Sequence, residues 1–325
     1  MPILDMPLAS LKNYQGINPR PADLDAYWDA SLEELAGVDP APVFKEAAFQ
    51  TANAACYDVY YTGIGGARIH AIHLCPKKIT GKIPVIFLFH GYHGNAGDWS
   101  DKLAYVNEGV AVFAMDVRGQ GGESEDVGGN LGDTLEGQII RGLDDEDPKK
   151  LFFRSVFLDT KQLVNVALMQ DFADPEQLYA QGGSQGGALT VACAALEPRI
   201  RRAAAFVPFL MDYKRVWEMD LDLDAYADLK AYFRFHDPRH LREDEIFTRL
   251  GYIDLQFLAP RIKADTIFIT GLLDNICPPS TQFASFNKMT CRKRMFLYPD
   301  YGHENPRGAL DIAFTFLTKG VLPEE

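Results

Sequence analysis

The segment Gly182-Gly183-Ser184-Gln185-Gly186 constrains the fold of this chain most, because a strand-like apolar run precedes it and an alanine-rich, helix-forming run follows it. In a nucleophile elbow, a serine lies on a strand-to-helix turn so sharp that glycine is favoured two residues before and two after it. Gly182 and Gly186 occupy those positions. The segment therefore predicts Ser184 as an exposed nucleophile and the Gln185 N–H as an oxyanion donor at a helix N-terminus. The alternative is a glycine-rich turn whose serine only caps the helix.

Composition limits the function classes that remain. The chain has 325 residues, 47% of them hydrophobic and 24% charged, and a formal net charge of −13. An acidic chain without clustered Lys and Arg is a poor partner for nucleic acid or for an anionic membrane. No apolar run approaches the roughly 20 residues that span a bilayer, and no secretory signal is visible at the N-terminus. We expect a cytoplasmic protein with reduced cysteines, because the five cysteines are odd in number and have no C-x-x-C spacing.

Two kinds of pattern succeed each other along the chain. Residues 57–62 and 68–74 alternate apolar and polar side chains across a glycine-rich turn, which predicts an antiparallel hairpin. From residue 83, apolar runs of strand length alternate with helical patterns, which predicts a mainly parallel sheet covered by helices on both faces. The predicted strands of that sheet are residues 85–89, 111–115, 178–181, 203–207, 266–270 and 295–298.

The domain organisation follows from these patterns. We predict one domain over residues 1–325, of the α/β class with an α/β-hydrolase fold. Residues 1–50 form an N-terminal arm, in which Asp23 caps a helix. The acidic, aromatic stretch of about 211–250 has no strand character, and we predict a helical insertion over the carboxyl edge of the sheet.

Two histidines in the hairpin could suggest a metal site. His70 and His73 are three residues apart in a predicted strand, an odd spacing that directs them to opposite faces. We therefore expect both to be structural and predict no bound metal.

A serine nucleophile needs an imidazole to take its proton and a carboxylate to orient that imidazole. In α/β-hydrolases these follow in the chain order Ser, Asp or Glu, then His, in loops after later strands. Asp274 follows residues 266–270, and His303 follows residues 295–298. The positions predict Ser184, Asp274 and His303 as a catalytic triad.

Other side chains compete for these roles. His303 is the only histidine downstream of Asp274, whereas His236 and His240 lie in the predicted insertion. Asp300 is too close to His303 in sequence for the expected order. Glu304 points elsewhere if His303 points into the site.

The second oxyanion donor should come from the loop after residues 85–89. The backbone N–H of Tyr92 is the best candidate there, paired with that of Gln185. The loop does not have the His-Gly-Gly-Gly form found in lipases. We expect His90 and His93 to brace this loop rather than to act as bases.

Several short motifs occur together over nearly the whole chain. They are Leu11-Lys12-Asn13-Tyr14, Asp25-Ala26-Tyr27-Trp28, Arg118-Gly119-Gln120, Gly182-Gly183-Ser184-Gln185-Gly186-Gly187, Val207-Pro208-Phe209-Leu210, Gly271-Leu272-Leu273-Asp274, Cys277-Pro278-Pro279-Ser280-Thr281 and His303-Glu304. With them, the chain resembles the acetyl xylan esterase and cephalosporin C deacetylase family, carbohydrate esterase family seven of the α/β-hydrolase superfamily. The joint occurrence of Arg-Gly-Gln, Gly-x-Ser-Gln-Gly and His-Glu is far more specific than any one of them.

The resemblance implies a function and an assembly. It implies that Ser184, Asp274 and His303 are the triad and that the N–H groups of Tyr92 and Gln185 form the oxyanion hole. The implied activity removes acetyl groups from short xylo-oligosaccharides and other small acetylated compounds, such as cephalosporin C, without a cofactor or metal. It also implies doughnut-like homo-hexamers whose active sites face an interior cavity.

The resemblance further implies that Arg118 and Gln120 are structural and anchor loops beside the site. It implies a shallow acyl pocket, and Tyr92, Pro208 and Phe209 are the substrate-binding residues that could shape it. One departure is Leu151-Phe152-Phe153-Arg154, where the family leads us to expect a tyrosine-rich run before the arginine. This difference bears on substrate preference more than on chemistry.

We therefore predict a serine esterase for small O-acetyl esters. Another acyl hydrolase, of the acylpeptide or thioester type, stays open because the elbow does not identify the leaving group. A non-catalytic binding protein with a hydrolase fold is the alternative from another class, and the intact triad argues against it.

Overall fold

The computed structural model describes residues 4–127 and 136–322, and a sheet of nine strands in the order β1-β2-β3-β5-β4-β6-β7-β8-β9 lies at its centre. The strands are β1 Val43–Glu46, β2 Ala54–Thr62, β3 Arg68–Pro76, β4 Ile83–Phe89, β5 Ala111–Met115, β6 Ala173–Gly183, β7 Ile200–Phe206, β8 Asp265–Gly271 and β9 Lys293–Tyr298. Strands β4 to β9 pair in parallel, and β1, β2 and β3 add an antiparallel edge. The predictions of a hairpin and of a mainly parallel sheet are confirmed.

Helices cover both faces of this sheet. They are α1 Leu8–Leu11, α2 Leu24–Ala36, α3 Leu103–Asn107, α4 Phe152–Leu168, α5 Gln185–Leu196, α6 Tyr213–Glu218, α7 Ala227–His236, α8 Glu243–Leu250, α9 Leu255–Leu258, α10 Pro279–Lys288 and α11 Ala309–Lys319. No helix in the described part of the chain is long and apolar enough to cross a membrane.

The side chains of the buried strands alternate between two apolar layers. Phe87 and Phe113 point to the layer formed with α2, α4 and α5, whereas Ile86 and Val112 point to the layer formed with α3 and α11. This alternation has the period of two that a pleated strand imposes. Because both layers are apolar, the strands read as continuous hydrophobic runs in the sequence.

The first fifty residues contribute α1, α2 and the edge strand β1. The sequence pattern predicted a helix in this segment but did not reveal the strand. The prediction that Asp23 caps a helix is wrong in its detail. Helix α2 begins at Leu24, but the Asp23 side chain makes no capping hydrogen bond. It instead accepts a hydrogen bond of 2.6 Å from the hydroxyl of Tyr252. The stretch predicted as an insertion contains α6, α7 and α8 and no strand.

Asp212 ties the N-terminal segment to the start of α6. Its carboxylate accepts hydrogen bonds from the Tyr14 hydroxyl at 2.8 Å and from the N–H groups of Ile17 at 3.0 Å and Asn18 at 2.8 Å. The N–H of Asp212 in turn donates to the buried carboxyl group of Asp254 at 3.0 Å. Burial, together with the negative charge of Asp212, raises the pKa of Asp254 to about 7.

The two histidines of β3 both have partners within the fold. His70 lies between Asp116, 2.6 Å from Nδ1, and Asp58, 3.2 Å from Nε2. His73 lies 2.9 Å from the carbonyl oxygen of Val112, and burial lowers the pKa of His73 to about 4. All five cysteines are free thiols.

Candidate active site

Ser184 occupies a strained turn between β6 and α5. Its backbone angles are φ 56° and ψ −118°, in a region that L-residues rarely adopt. A Cβ atom at Gly182 would lie 2.6 Å from the carbonyl oxygen of Phe89, and one at Gly186 would overlap the same oxygen. The side chain of Ser184 makes no capping hydrogen bond to α5. The turn thus has the geometry of a nucleophile elbow rather than that of a helix cap.

A chain of hydrogen bonds connects Ser184 to a buried carboxylate. Nε2 of His303 lies 2.9 Å from Oγ of Ser184, and Nδ1 lies 2.9 Å from Oδ2 of Asp274. The other carboxylate oxygen accepts from the N–H groups of Ile276 at 3.0 Å and Cys277 at 2.8 Å. Asp274 is fully buried, whereas 18% of the His303 side chain is exposed. The carboxylate is therefore held by fixed donors, and the imidazole reaches toward solvent.

The topology explains this convergence. Strands β6, β8 and β9 run in parallel, so their carboxyl ends reach the same edge of the sheet. Ser184 follows β6, Asp274 follows β8 and His303 follows β9. The competing carboxylate of Glu304 accepts a hydrogen bond from the Gly302 N–H at 3.2 Å instead of contacting His303. The structure therefore brings together the three side chains that the sequence predicted as a triad.

The two candidate oxyanion donors are the backbone N–H groups of Gln185 and Tyr92. Gln185 is the first residue of α5, so its N–H has no acceptor within the helix. The Tyr92 N–H makes no hydrogen bond with any residue that the structure describes. Their role as an oxyanion hole stays a prediction.

His90 holds the loop that carries Tyr92. Its Nδ1 lies 2.7 Å from the Gly91 carbonyl oxygen, and its Nε2 accepts from the N–H of Val117 at 2.9 Å. This pair of bonds fits a neutral imidazole protonated on Nδ1, and burial lowers the pKa of His90. His90 therefore connects the loop that carries Tyr92 to the residues that follow β5.

Gln120 connects both candidate donor segments through one buried side chain. Its Oε1 accepts from the N–H of His93 at 3.0 Å and from Nε2 of Gln185 at 2.9 Å. Its Nε2 donates to Oε1 of Gln185 at 2.7 Å and to Oε1 of Gln138 at 2.5 Å. Sequence reasoning from the residues alone did not identify this network. Only the Arg-Gly-Gln motif pointed to Gln120, as a structural residue.

Arg118 anchors a neighbouring loop. Its guanidinium is fully buried and forms two hydrogen bonds of 2.7 Å to Asp159, with a third of 3.1 Å to the carbonyl oxygen of Ile64.

Residues 151–154, where the sequence differs from the family pattern, lie at the start of α4. There Phe152 and Phe153 are buried, and Arg154 pairs with Glu34 at 2.8 Å.

Two cavities meet at Ser184 and His303. One has a volume of about 570 Å³ and extends beneath α7 and the turn before it. Its wall includes Tyr92, His93, Glu136, Asp224, Asp228 and Ile276. The other has a volume of about 720 Å³ and extends between α3 and the start of α11. Its wall includes Lys102, Tyr105, Gln181, Phe206 and Leu310. Ser184 and His303 are therefore open to a substrate from two directions.

Pro208 and Phe209 are buried and do not line either of these cavities. The N–H of Phe209 donates to the carbonyl oxygen of Ser184 at 3.1 Å, and its ring lies 5.6 Å from that of Tyr92. Phe209 thus stabilises the Ser184 turn through its backbone and packs against the Tyr92 ring through its side chain. Direct contact of Pro208 or Phe209 with substrate stays a prediction.

Comparisons with known proteins find similarity to acetyl esterases. Residues 1–319 match the family model described as acetyl xylan esterase (AXE1). The chain is 27% identical over 296 residues to the acetyl esterase Axe7A of Xylanibacter ruminicola, which covers 87% of this chain. This chain spans 63% of the length of that relative.

Two solved structures extend the likeness to the whole fold. Acetyl xylan esterase 1 from Thermoanaerobacterium sp. JW/SL YS485 matches with a TM-score of 0.94 and 52% sequence identity. The match covers 97% of this chain and 99% of the esterase chain. The acetyl xylan esterase from Paenibacillus sp. R4 has a TM-score of 0.90 and 32% identity, with the same coverage of 97% and 99%. The predicted α/β-hydrolase fold is confirmed by these matches.

Proposed function

The chain belongs to the acetyl xylan esterase family, and from that premise we propose that it is a serine esterase that removes O-acetyl groups from short xylo-oligosaccharides. The observation that carries this proposal is the hydrogen-bonded series Ser184–His303–Asp274 at the junction of two cavities. The same arrangement of serine, imidazole and carboxylate drives acyl transfer on unrelated folds.

The proposed reaction begins at Oγ of Ser184. Nε2 of His303 takes the hydroxyl proton as Oγ attacks the acetyl carbonyl carbon. The negative charge that develops on the carbonyl oxygen is stabilised by the N–H groups of Tyr92 and Gln185. Asp274 keeps the imidazole protonated on Nδ1 and stabilises the imidazolium that forms.

The tetrahedral intermediate collapses when the imidazolium gives its proton to the leaving alcohol oxygen. The products of this half-reaction are an acetyl ester on Ser184 and the free hydroxyl of the sugar. Water, deprotonated by His303, then attacks the acetyl carbon through a second tetrahedral intermediate. Acetate leaves, and the proton returns to Oγ. His303 thus takes up and releases one proton in each half-reaction, and the enzyme returns to its starting state.

The walls of the smaller cavity suit a neutral, hydroxyl-rich alcohol. Glu136, Asp224 and Asp228 contribute carboxylates to it, and the oxygens of Asp228 also accept from the N–H groups of Gly137 at 3.0 Å and Ile139 at 3.2 Å. Carboxylate oxygens accept hydrogen bonds from sugar hydroxyls. We therefore assign the sugar to the part of this cavity that the three carboxylates line, and the acetyl group to the part beside the Tyr92 ring, which offers its methyl group an apolar face.

Three finer features belong to the proposal. Cephalosporin C is a candidate second substrate, supported by the family resemblance. A cytoplasmic location is supported by the five free thiols. A homo-hexamer is supported by the resemblance and by apolar side chains on the insertion, where Phe235 is 73% exposed and Leu241 is 72% exposed.

Acetate release from acetylated xylobiose and xylotriose tests the activity directly. The wild-type protein should release acetate, and Ser184→Ala should lower kcat by at least about 10⁴-fold. Ser100→Ala removes an exposed serine hydroxyl elsewhere and should keep full activity. An active Ser184→Ala protein would refute the assignment of the nucleophile. Inactivity on the saccharides with activity on p-nitrophenyl acetate would refute only the assignment of the sugar.

A further inference from the structure

A group of potential metal ligands lies on the side of the His303 imidazole that faces away from Ser184. Asp274, Cys277 and His303 bring a carboxylate oxygen, a thiol sulfur and an imidazole nitrogen within 4.8 Å of one another. Within residues 4–127 and 136–322, this is the one group of three such side chains with that spacing. The proposed reaction uses the carboxylate and the imidazole, but it has no use for the thiol.

The donor set is that of a zinc site. Zn²⁺ binds thiolate sulfur at about 2.3 Å, imidazole nitrogen at about 2.0–2.1 Å and carboxylate oxygen at about 2.0–2.2 Å in tetrahedral geometry. Those bond lengths place ligand atoms about 3.5 Å apart. Nδ1 of His303 and Oδ2 of Asp274 already lie 2.9 Å apart, so binding needs them to separate slightly and the sulfur to move closer.

Charge balance favours the ion at this buried position. Asp274 and Cys277 are both fully buried, so a bare dication would be strongly disfavoured there. One carboxylate and one thiolate together carry two negative charges, and they neutralise Zn²⁺. The coordinated thiol loses its proton to solvent because the cation stabilises the thiolate.

We propose that Asp274, Cys277 and His303 form an inhibitory site for Zn²⁺ and chemically similar thiophilic cations. The ion takes the place of the proton between Nδ1 and the carboxylate, and that proton is transferred to Nε2. The Nε2–H group then faces Oγ of Ser184 as a donor and can no longer accept the hydroxyl proton. Binding itself is independent of the proposed function, whereas inhibition of ester hydrolysis rests on it.

The position of the ion determines the kinetic pattern. It lies beyond the imidazole as seen from Ser184, outside the atoms that would touch the substrate. Zn²⁺ should therefore lower kcat and leave KM nearly unchanged. Mg²⁺ prefers oxygen ligands in an octahedral arrangement, so an equal concentration of Mg²⁺ should not inhibit.

The binding test uses Ser184→Ala, in which all three ligands remain. Titration with Cd²⁺ should produce the ultraviolet charge-transfer band of a metal thiolate, and calorimetry with Zn²⁺ should give one site per chain. The same protein with Cys277→Ser should lack the band and bind at least about tenfold more weakly. Cys291→Ser removes the partly exposed thiol and should change neither result.

Inhibition is then measured in proteins that retain Ser184, each relative to its own activity without metal. Zn²⁺ should inhibit the wild-type and Cys291→Ser proteins, EDTA should restore activity, and Cys277→Ser and Cys277→Ala should resist Zn²⁺. Equal inhibition of the wild-type and both Cys277 variants would overturn the proposal, as would absence of the thiolate band in Ser184→Ala. A metal-binding protein without any esterase activity would refute the proposed function and leave the site standing.

Discussion

The side-chain amides of Gln120 and Gln185 form a reciprocal pair, with Nε2 of each donating to Oε1 of the other at 2.7 and 2.9 Å. Gln185 carries one candidate oxyanion donor in its backbone. Gln120 also accepts from the N–H of His93, the residue after the other candidate, Tyr92. One buried side chain therefore fixes the separation between the two donors.

Replacing Gln120 should disturb that separation. In Gln120→Met the His93 N–H and the Gln185 amide lose their shared partner while side-chain volume is nearly kept. We expect kcat for p-nitrophenyl acetate to fall by about 10- to 100-fold, less than the loss when an oxyanion donor is removed outright, with little change in KM. Steady-state kinetics well below the unfolding temperature measure both constants.

The matched control is Gln162→Met. Gln162 is also buried, and its amide donates to the carbonyl oxygens of Val38 at 3.1 Å and Thr62 at 3.2 Å. Both variants should lose stability, but Gln162→Met should keep its kcat. An equal loss of kcat in both would mean that Gln120 matters only for folding.

Asp274→Asn tests the orientation of the imidazole. The Asn Oδ1 can still accept from the N–H groups of Ile276 and Cys277, which directs the new NH₂ group toward His303. Nδ1 must then act as an acceptor, so the proton moves to Nε2, where it blocks transfer from Ser184. We expect kcat to fall by about 10⁴-fold with KM little changed. If Asp300→Asn were the damaging substitution instead, the assigned carboxylate would be wrong.

Acyl-chain length tests the pocket beside Tyr92. The Tyr92 ring is backed by Phe209 at 5.6 Å, and Phe209 by Tyr226 at 4.5 Å between ring centroids, so this wall cannot retreat easily. We expect kcat/KM to drop at least about tenfold from acetate to butyrate esters of p-nitrophenol. Equal or higher activity on butyrate would keep the triad but remove the preference for acetyl groups.

The raised pKa of Asp254 makes a prediction about stability. The folded protein holds the Asp254 proton up to about pH 7, whereas the unfolded chain releases it near its ordinary pKa of 3.8. Its contribution to stability is therefore fully present below that ordinary value and is lost as pH rises through about 7. The free energy of unfolding of the wild type, minus that of Asp254→Asn, should fall between about pH 4 and about pH 7.5. Urea denaturation across that range measures it, and a flat difference would contradict the assignment.

The fold and the chain order of the site could be read from sequence because they depend on local patterns. Apolar runs located four of the six predicted strands within somewhat longer ones, matched the bounds of β5, and extended one residue beyond the end of β7. Strand ends located Asp274 and His303. The edge strand Val43–Glu46 escaped detection because it is only four residues long, none of them is buried, and its apolar and polar side chains do not alternate.

Contacts between distant segments could not be read in this way. The Gln120–Gln185 pair spans 65 residues, and the contact between Asn18 and Asp212 spans 194. Glutamine and aspartate in those positions are equally compatible with a solvated loop, because their polarity predicts no partner. Only the folded topology brings such groups together and removes them from water.

The backbone at Ser184 has a final consequence, which concerns how the protein can evolve. A residue held at φ 56° and ψ −118° costs on the order of 1–3 kcal/mol, a sizeable share of the stability of a folded domain. Glycine would adopt these angles with little strain, and no helix-capping bond would be lost. Backbone strain alone would therefore favour glycine at this position. A lineage that no longer needed the reaction would have a thermodynamic reason to discard its nucleophile first, and the serine persists only under selection for activity.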